Sequence, residues 1–272
     1  MMAKKYIRLA VVAAVLLGLI IWIAWGNTAL ECNSYTVSSS QLLGSFEGYR
    51  IAHISDLHNT EIGEDNKTLL NMLRDAQPDM IAITGDLIDS RRTNVGIALD
   101  FIREAVKIAP CYYAPGNHES RVDEYLELKA GMKDAGVVVL EDAQTEIVLG
   151  SEKITVIGAC DPDFKTGKLE TLQVEEADFT LLLSHRPELF DTYVEKNIDL
   201  ALSGHAHGGQ IRIPFLGGLI APHQGLFPEY DGGLYTKDDT NMVVSRGVGN
   251  SLFPFRVNNR PEIVLVELRR NV

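Results

Sequence analysis

The chain has 272 residues, 46% hydrophobic and 23% charged, with a formal net charge of −12. That balance suits a globular protein with a substantial core and excludes general nucleic-acid binding, which needs a basic field to reach phosphates. If a substrate carries phosphate, the chain needs a local cationic device, such as bound metal, to overcome its own field.

The N-terminal stretch "MMAKKYIR" supplies Lys4, Lys5 and Arg8, and residues 9–30 carry no charge. An apolar run of about 20 residues can span the hydrocarbon core as a helix. Trp22 and Trp25 fall at its far end, where indoles prefer the interface. The basic flank predicts a cytoplasmic tip and an extracytoplasmic remainder. The rival is a cleaved signal peptide, whose apolar region is shorter and ends at a small-x-small site. "WGNTALEC" offers no good version of that site, so residues 1–30 are read as a single-pass anchor in the cell membrane.

Residues 31–49 form a polar lead-in, with "SYTVS" as an edge strand. From residue 50 to the end the chain reads as one domain. "RIAHIS", "DMIAIT" and "CYYAP" are short apolar runs of the kind buried strands make. They alternate with amphipathic helices over "NKTLLNMLRDAQ", "VGIALDFIREAVKI" and "RVDEYLELKAGMKDAG", the last ending at Gly136. "VVVL", "EIVL" and "ITVIGA" follow as strands. "FTLLLS" and "DLALS" are strands separated by a helix starting near Pro187. After residue 208 the pattern is all-β: "QIRIP", "NMVVSR" and "EIVLVELR". Helices alternating with strands, then strands with strands, predict an α/β layered domain with a mixed sheet or two packed sheets. Cys32, Cys111 and Cys160 are widely spaced, with no C-x-x-C among them, which points to no zinc knuckle or redox motif.

Five of the apolar strands end in polar clusters: Asp56-Leu57-His58, Gly85-Asp86, Gly116-Asn117-His118-Glu119, His185, and Gly204-His205-Ala206-His207. Sites in open α/β sheets gather beyond the carboxyl ends of strands. The inventory mixes imidazole and carboxylate with no thiolate, which suits Mn, Fe, Zn, Co or Ni. There are too many ligands for one tetrahedral ion, and a bridging carboxylate between two ions would use them all. Two divalent ions about 3.5–4 Å apart are a device for hydrolysing phosphate esters. The neutral amide of Asn117 fits there, because another carboxylate would cancel the residual positive charge.

Asp-x-His, Gly-Asp-x-x-Asp, Gly-Asn-His-Glu, a lone His and Gly-His-x-His, in that order over residues 50 to 270, resemble the calcineurin-like metallophosphoesterases. The whole pattern, with its N-terminal anchor, is similar to a membrane-anchored bacterial branch linked to UDP-2,3-diacylglucosamine hydrolysis. The resemblance implies a central β-sandwich of mixed sheets flanked by helices. It implies that Asp56, His58 and His207 hold one divalent ion and Asn117, His185 and His205 the other, with Asp86 bridging. It also implies that His118 is no ligand but faces the phosphate, as general acid or electrostatic stabiliser.

Asp89 and Glu119 are read either as groups that orient these residues or as plain turn residues. His53, inside a strand, is read as a core histidine, and His223 as a loop residue beside the substrate or merely near it. The apolar loop over residues 214–235 cradles a lipid or sugar, contacts the membrane, or simply packs. The partner expected is a phosphorylated small molecule or lipid; oligomeric state is left open. The competing function is a non-catalytic metal-dependent binding module at the cell surface.

Overall fold

The computed structural model describes residues 2–165, 169, 174, 179–250 and 252–271. Helix α1 (Met2–Thr28) comes first. Its stretch Lys4–Thr28 is long and apolar enough to cross a membrane, and no part of its most apolar window is buried against the rest of the chain. The chain then builds two six-stranded sheets.

The first sheet contains β1 (Glu31–Ser39), β2 (Arg50–Ile54), β3 (Met80–Thr84), β4 (Cys111–Ala114), β5 (Val138–Val139) and β16 (Glu262–Arg270), in the order β1-β16-β2-β3-β4-β5. The second contains β6 (Ala143–Leu149), β7 (Glu152–Gly158), β8 (Thr180–Leu183), β9 (Leu200–Ser203), β14 (Gly233–Lys237) and β15 (Thr240–Val244), in the order β14-β15-β9-β8-β7-β6. In the first sheet β2, β3, β4 and β5 run parallel, as do β7, β8, β9 and β15 in the second; each sheet also has antiparallel pairings. Both sheets are therefore mixed. Strand β1 lies parallel to β16 at a sheet edge, so the lead-in segment is part of the sandwich.

Period-2 alternation sorts the strands between two faces. On β3, Met80 and Ala82 point into the inter-sheet core with Leu181, Leu200, Leu202 and Val264. Ile81 and Ile83 point the other way, onto the helices. Those helices are α2 (Lys67–Ala76), α3 (Val95–Ala105) and α4 (Tyr125–Asp134). Helix α2 buries Leu69, Leu70, Leu73 and Ala76, one stripe at helical spacing, and stops where Gln77 turns left-handed before Pro78. Helix α3 starts where the Asn94 side chain accepts the Ile97 N–H. Helix α5 (Phe190–Glu195) covers the outer face of the second sheet, with Phe190 and Tyr193 against Ile157, Leu182 and Ala201. The layering is helix, sheet, sheet, helix: the β-sandwich flanked by helices that the resemblance implied.

"QIRIP" does not join either sheet. Only β10 (Arg212–Ile213) is extended there, pairing with β11 (Gly217–Gly218), and β12 (Ile220–Ala221) pairs with β13 (Gly225–Leu226) beyond it. The helix read from residue 121 begins at Tyr125, after a 3-10 turn over Glu119–Arg121. All three cysteines are free.

Candidate metal centre

The carboxyl ends of β2, β3 and β4 in one sheet and of β8 and β9 in the other meet at a single rim. The loops leaving them interlock through main chain: Asp56 N–H donates to the Gly85 carbonyl (3.1 Å), His58 N–H to Asp86 (2.9 Å) and Gly204 N–H to His185 (3.1 Å). Five residues here have left-handed backbones although none is glycine: Asp56 (φ 53°), His58 (47°), Asp86 (53°), His205 (65°) and His207 (48°). Such conformations cost about 1–3 kcal/mol each and persist where surrounding structure dictates them. Close approach also demands Gly116. A Cβ there would lie 2.3 Å from Asp86 Oδ1.

This packing brings all seven expected ligand residues and His118 together, every one buried. Asp56, His58 and His207 bring ligand atoms within 4.8 Å of one another, and so do Asp86, His185 and His205. Asp56 Oδ2 accepts hydrogen bonds from Ser55 Oγ (2.6 Å) and the His205 N–H (3.1 Å). Its Oδ1 is buried with no hydrogen-bond partner among the described residues, yet faces His207 Nε2 at 3.3 Å and His58 Nε2 at 3.6 Å. Asp86 divides likewise. Oδ1 accepts the His118 N–H (2.8 Å), while Oδ2 stands 3.1 Å from His185 Nε2 and 3.6 Å from His58 Nε2.

Asn117 gives the sharpest test of fit. Its side-chain oxygen faces His205 Nδ1 at 2.9 Å and His185 Nε2 at 3.2 Å, and its nitrogen lies beside the Arg121 guanidinium. Hydrogen bonding alone would turn the amide round. His185 Nδ1 is 2.7 Å from the Thr84 carbonyl, to which it donates, so its removable proton or lone pair is at Nε2. An amide oxygen converging with two imidazole nitrogens is what a cation satisfies.

The electrostatics agree. Burial works against ionisation, but the surrounding imidazoles hold the Asp56 and Asp86 carboxyls well below the usual range. Burial pushes His207 down to about 3 and His118 down to about 4. For His185 burial is outweighed by the Asp86 and Asp56 carboxylates, which carry it up to about 10. A proton on His185 thus supplies part of the positive charge these carboxylates need.

His118 Nδ1 accepts the Ser90 N–H at 2.9 Å. A peptide N–H can only donate, so the proton of a neutral ring sits on Nε2. Glu119, fully buried, accepts the N–H groups of Asp86 (2.8 Å) and Gly116 (2.9 Å), locking two ligand loops together. Burial, helped by the Asp86 carboxylate, pushes Glu119 up to about 7. Asp89 pairs with Arg91 and comes only within 4.0 Å of His118 Nδ1. His53 is a core residue, bonded to Thr84 Oγ1 at 2.8 Å.

The structure brings His223 to the site and adds two arginines the sequence did not single out, Arg186 and Arg256. Arg186, directly after His185, is buried and paired with Asp161, and its Nη1 lies 2.7 Å from His223 Nδ1. His223 stacks on His205, with its Nδ1 2.9 Å from His205 Nε2. Arg256 is fully buried and reaches His207 Nδ1 at 3.4 Å. The position of Arg186 beside a lone histidine was a usable signal; Arg256 gave none. The site opens into a cleft of about 600 Å³, whose polar floor includes Asp86, Asn117, His118 and His205 and whose wall includes Ile220, Pro222, Leu252 and Phe253.

Comparison with known proteins places the chain in a family. Residues 49–209 match the family model described as calcineurin-like phosphoesterase. The chain is 32% identical to the "Uncharacterized metallophosphoesterase YkuE" of Bacillus subtilis (strain 168), over 88% of this chain and 86% of that one. It is 29% identical to the "Phosphodiesterase YaeI" of Escherichia coli (strain K12), over 81% of this chain and 82% of that one. Among solved structures, the sulfate thiohydrolase SoxB of Thermus thermophilus shares the fold, with a TM-score of 0.51 and 14% identity over 84% of this chain and 58% of that one.

Proposed function

The chain belongs to the calcineurin-like phosphoesterase family, and on that premise we propose that it is a dinuclear metal-dependent hydrolase of a phosphoester or pyrophosphate bond. Asp56, His58 and His207 would hold one ion and Asn117, His185 and His205 the other, with Asp86 placed to serve both. The observation that carries this reading is Asp86 Oδ2, which stands within 3.1–3.6 Å of a histidine from each set. When bound, the ions activate the attacking water and neutralise charge on the phosphoryl oxygens. Mn, Fe or Zn suits this donor set.

The chain's own residues set the rest. The neutral amide of Asn117 offers a donor oxygen without adding negative charge to the two carboxylates. Arg91 and Arg121 line the cleft, each paired with a carboxylate, Asp89 and Asp163 respectively, so an anionic substrate would meet donors already held in place. His118 donates from Nε2 to a phosphoryl or leaving oxygen. Glu119 fixes the main chain around Asp86 and Asn117 by accepting two N–H groups.

The apolar wall beside the polar floor supports a substrate with both characters, such as a lipid-linked phosphoester or a nucleotide-sugar lipid of the UDP-2,3-diacylglucosamine type. We read α1 as an uncleaved anchor, with residues 50–272 and the lead-in outside the cytoplasm. The hydrogen bonds that Asn27 makes to the domain support retention of the helix. A nucleotide-sugar lipid made in the cytoplasm would not meet an outward-facing domain, so this topology favours a lipid-linked phosphoester over it.

The test uses full-length protein in detergent micelles. Metal analysis is expected to give about two ions per chain. p-Nitrophenyl phosphate or its bis-ester should turn over, stop on chelation and resume with Mn²⁺. A single ion per fully active chain would end the dinuclear reading.

A further inference from the structure

Helix α1 is fastened to the domain near its C-terminal end. Asn27 Nδ2 donates to the Arg256 carbonyl (2.9 Å), and Asn27 Oδ1 accepts the Arg256 N–H (2.6 Å). The Arg260 guanidinium lies over the Trp25 ring, 5.0 Å from its centroid. These contacts join the end of the apolar run to Arg256 and Arg260 and the loop they belong to. The same loop is pinned from the other side, where Gln210 Nε2 donates to the carbonyls of Phe253 (3.3 Å) and Phe255 (2.8 Å). Arg256 anchors it from below, donating to Arg246 and Gly249 carbonyls.

A backbone held this firmly nevertheless turns three large apolar side chains outward. Leu252 is 75% exposed, Phe253 48% and Phe255 46%. Water gives no reason for that arrangement, and an apolar cluster so presented marks an interaction surface. Its position names the partner. Residues 9–26 form an uncharged helix of about 27 Å at about 1.5 Å per residue, close to the roughly 30 Å hydrocarbon core. Asn27 then lies at the membrane boundary, and a loop hydrogen-bonded to it lies in the headgroup layer. Interfacial segments bury their apolar side chains about 5–10 Å into that boundary.

We propose that residues 252–255 insert into the bilayer interface, so that the mouth of the metal cleft opens onto the membrane surface. The proposal rests on α1 being membrane-embedded. Leu252 and Phe253 also line the cleft wall, so a phosphoester carried by a lipid enters along the interface, without leaving the membrane for bulk water.

The test is quenching of indole fluorescence by acyl-chain-brominated lipids, with the full chain in lipid nanodiscs. The only two tryptophans, Trp22 and Trp25, are both in α1, so quenching of the wild-type protein reports the helix alone. Phe253→Trp and, separately, Leu252→Trp are made in a Trp22→Phe, Trp25→Phe background. Leu126→Trp, at an exposed position on α4, serves as the comparison. The loop indoles are expected to lose as large a fraction of their emission as the wild-type indoles, while the Leu126→Trp protein loses none. A quenched wild type with both loop variants unquenched would overturn the proposal and leave the anchor intact. An unquenched wild type would overturn the anchor and the proposal with it. Quenching of the Leu126→Trp protein to the same degree would remove the assigned orientation.

Discussion

His118 offers a prediction in which the structure distinguishes two mechanisms. A general acid must hand its proton to the leaving oxygen, which requires an imidazolium. Here Nδ1 accepts the Ser90 N–H at 2.9 Å, and burial holds the ring's pKa down to about 4. Both features favour the neutral ring with hydrogen on Nε2, a donor to phosphoryl oxygens that keeps its proton. Removing one positioned donor from a transition-state oxygen costs about 2.7–4 kcal/mol, or roughly 10²- to 10³-fold in kcat. His118→Ala should therefore slow p-nitrophenyl and alkyl phosphoesters by similar factors in that range, with metal content unchanged. The assay is kcat on both esters for wild type and variant, with metal measured on the same samples. If the alkyl ester loses ten times more than the nitrophenyl ester, proton transfer is rate-determining and this reasoning is wrong. If metal is lost, His118 belongs among the ligands.

Asp86→Asn should drop metal content below about two per chain together with turnover, and two tightly held ions in that variant would remove Asp86 as the bridge. Gly116→Ala forces a methyl against Asp86 Oδ1; overpacking of that kind costs about 1–3 kcal/mol, so a lower melting temperature and weaker metal binding should appear together. Metal binding near pH 7 should release a proton from His185, because the Asp86 and Asp56 carboxylates overcome burial and carry it up to about 10 in the metal-free chain. Its folded value is raised, so affinity should fall as pH falls; titration calorimetry in buffers of different ionisation enthalpy reads the proton directly. Full-length protein should stay with membranes through a carbonate wash, and external protease should digest the domain in intact spheroplasts; digestion only after lysis would reverse the topology.

The layered sandwich and its rim were legible because each strand is a short apolar run that breaks into polar residues and glycine where the chain turns over the site. The polar residues gathered at the rim could be named for the same reason: "ISDLH", "TGDL" and "SGHAH" each begin at the last residue of a strand. What the letters did not carry was backbone conformation. Nothing in aspartate or histidine as residue types announces the left-handed φ of Asp56, His58, Asp86, His205 and His207, which the interlocked loops impose on one another. Long-range clamps were equally hidden: Asn27 and Arg256 lie 229 residues apart. "QIRIP" does supply a strand, but its partner could not be read from the alternation: Arg212–Ile213 pairs in a small hairpin, β10 with β11, and with neither main sheet.

The Asn27–Arg256 pair changes what the N-terminal helix is. A chain shortened to begin at β1 would lose both hydrogen bonds that Asn27 makes to the Arg256 main chain, along with the Trp25 ring under Arg260. The freed backbone belongs to the residue whose guanidinium reaches His207. In a fragment without the helix, Arg256 beside His207 should be less firmly braced, and a lower melting temperature than that of the full chain would show it. Kinetic constants measured on such a fragment describe the fragment. The end of the helix braces the main chain of the residue that reaches His207.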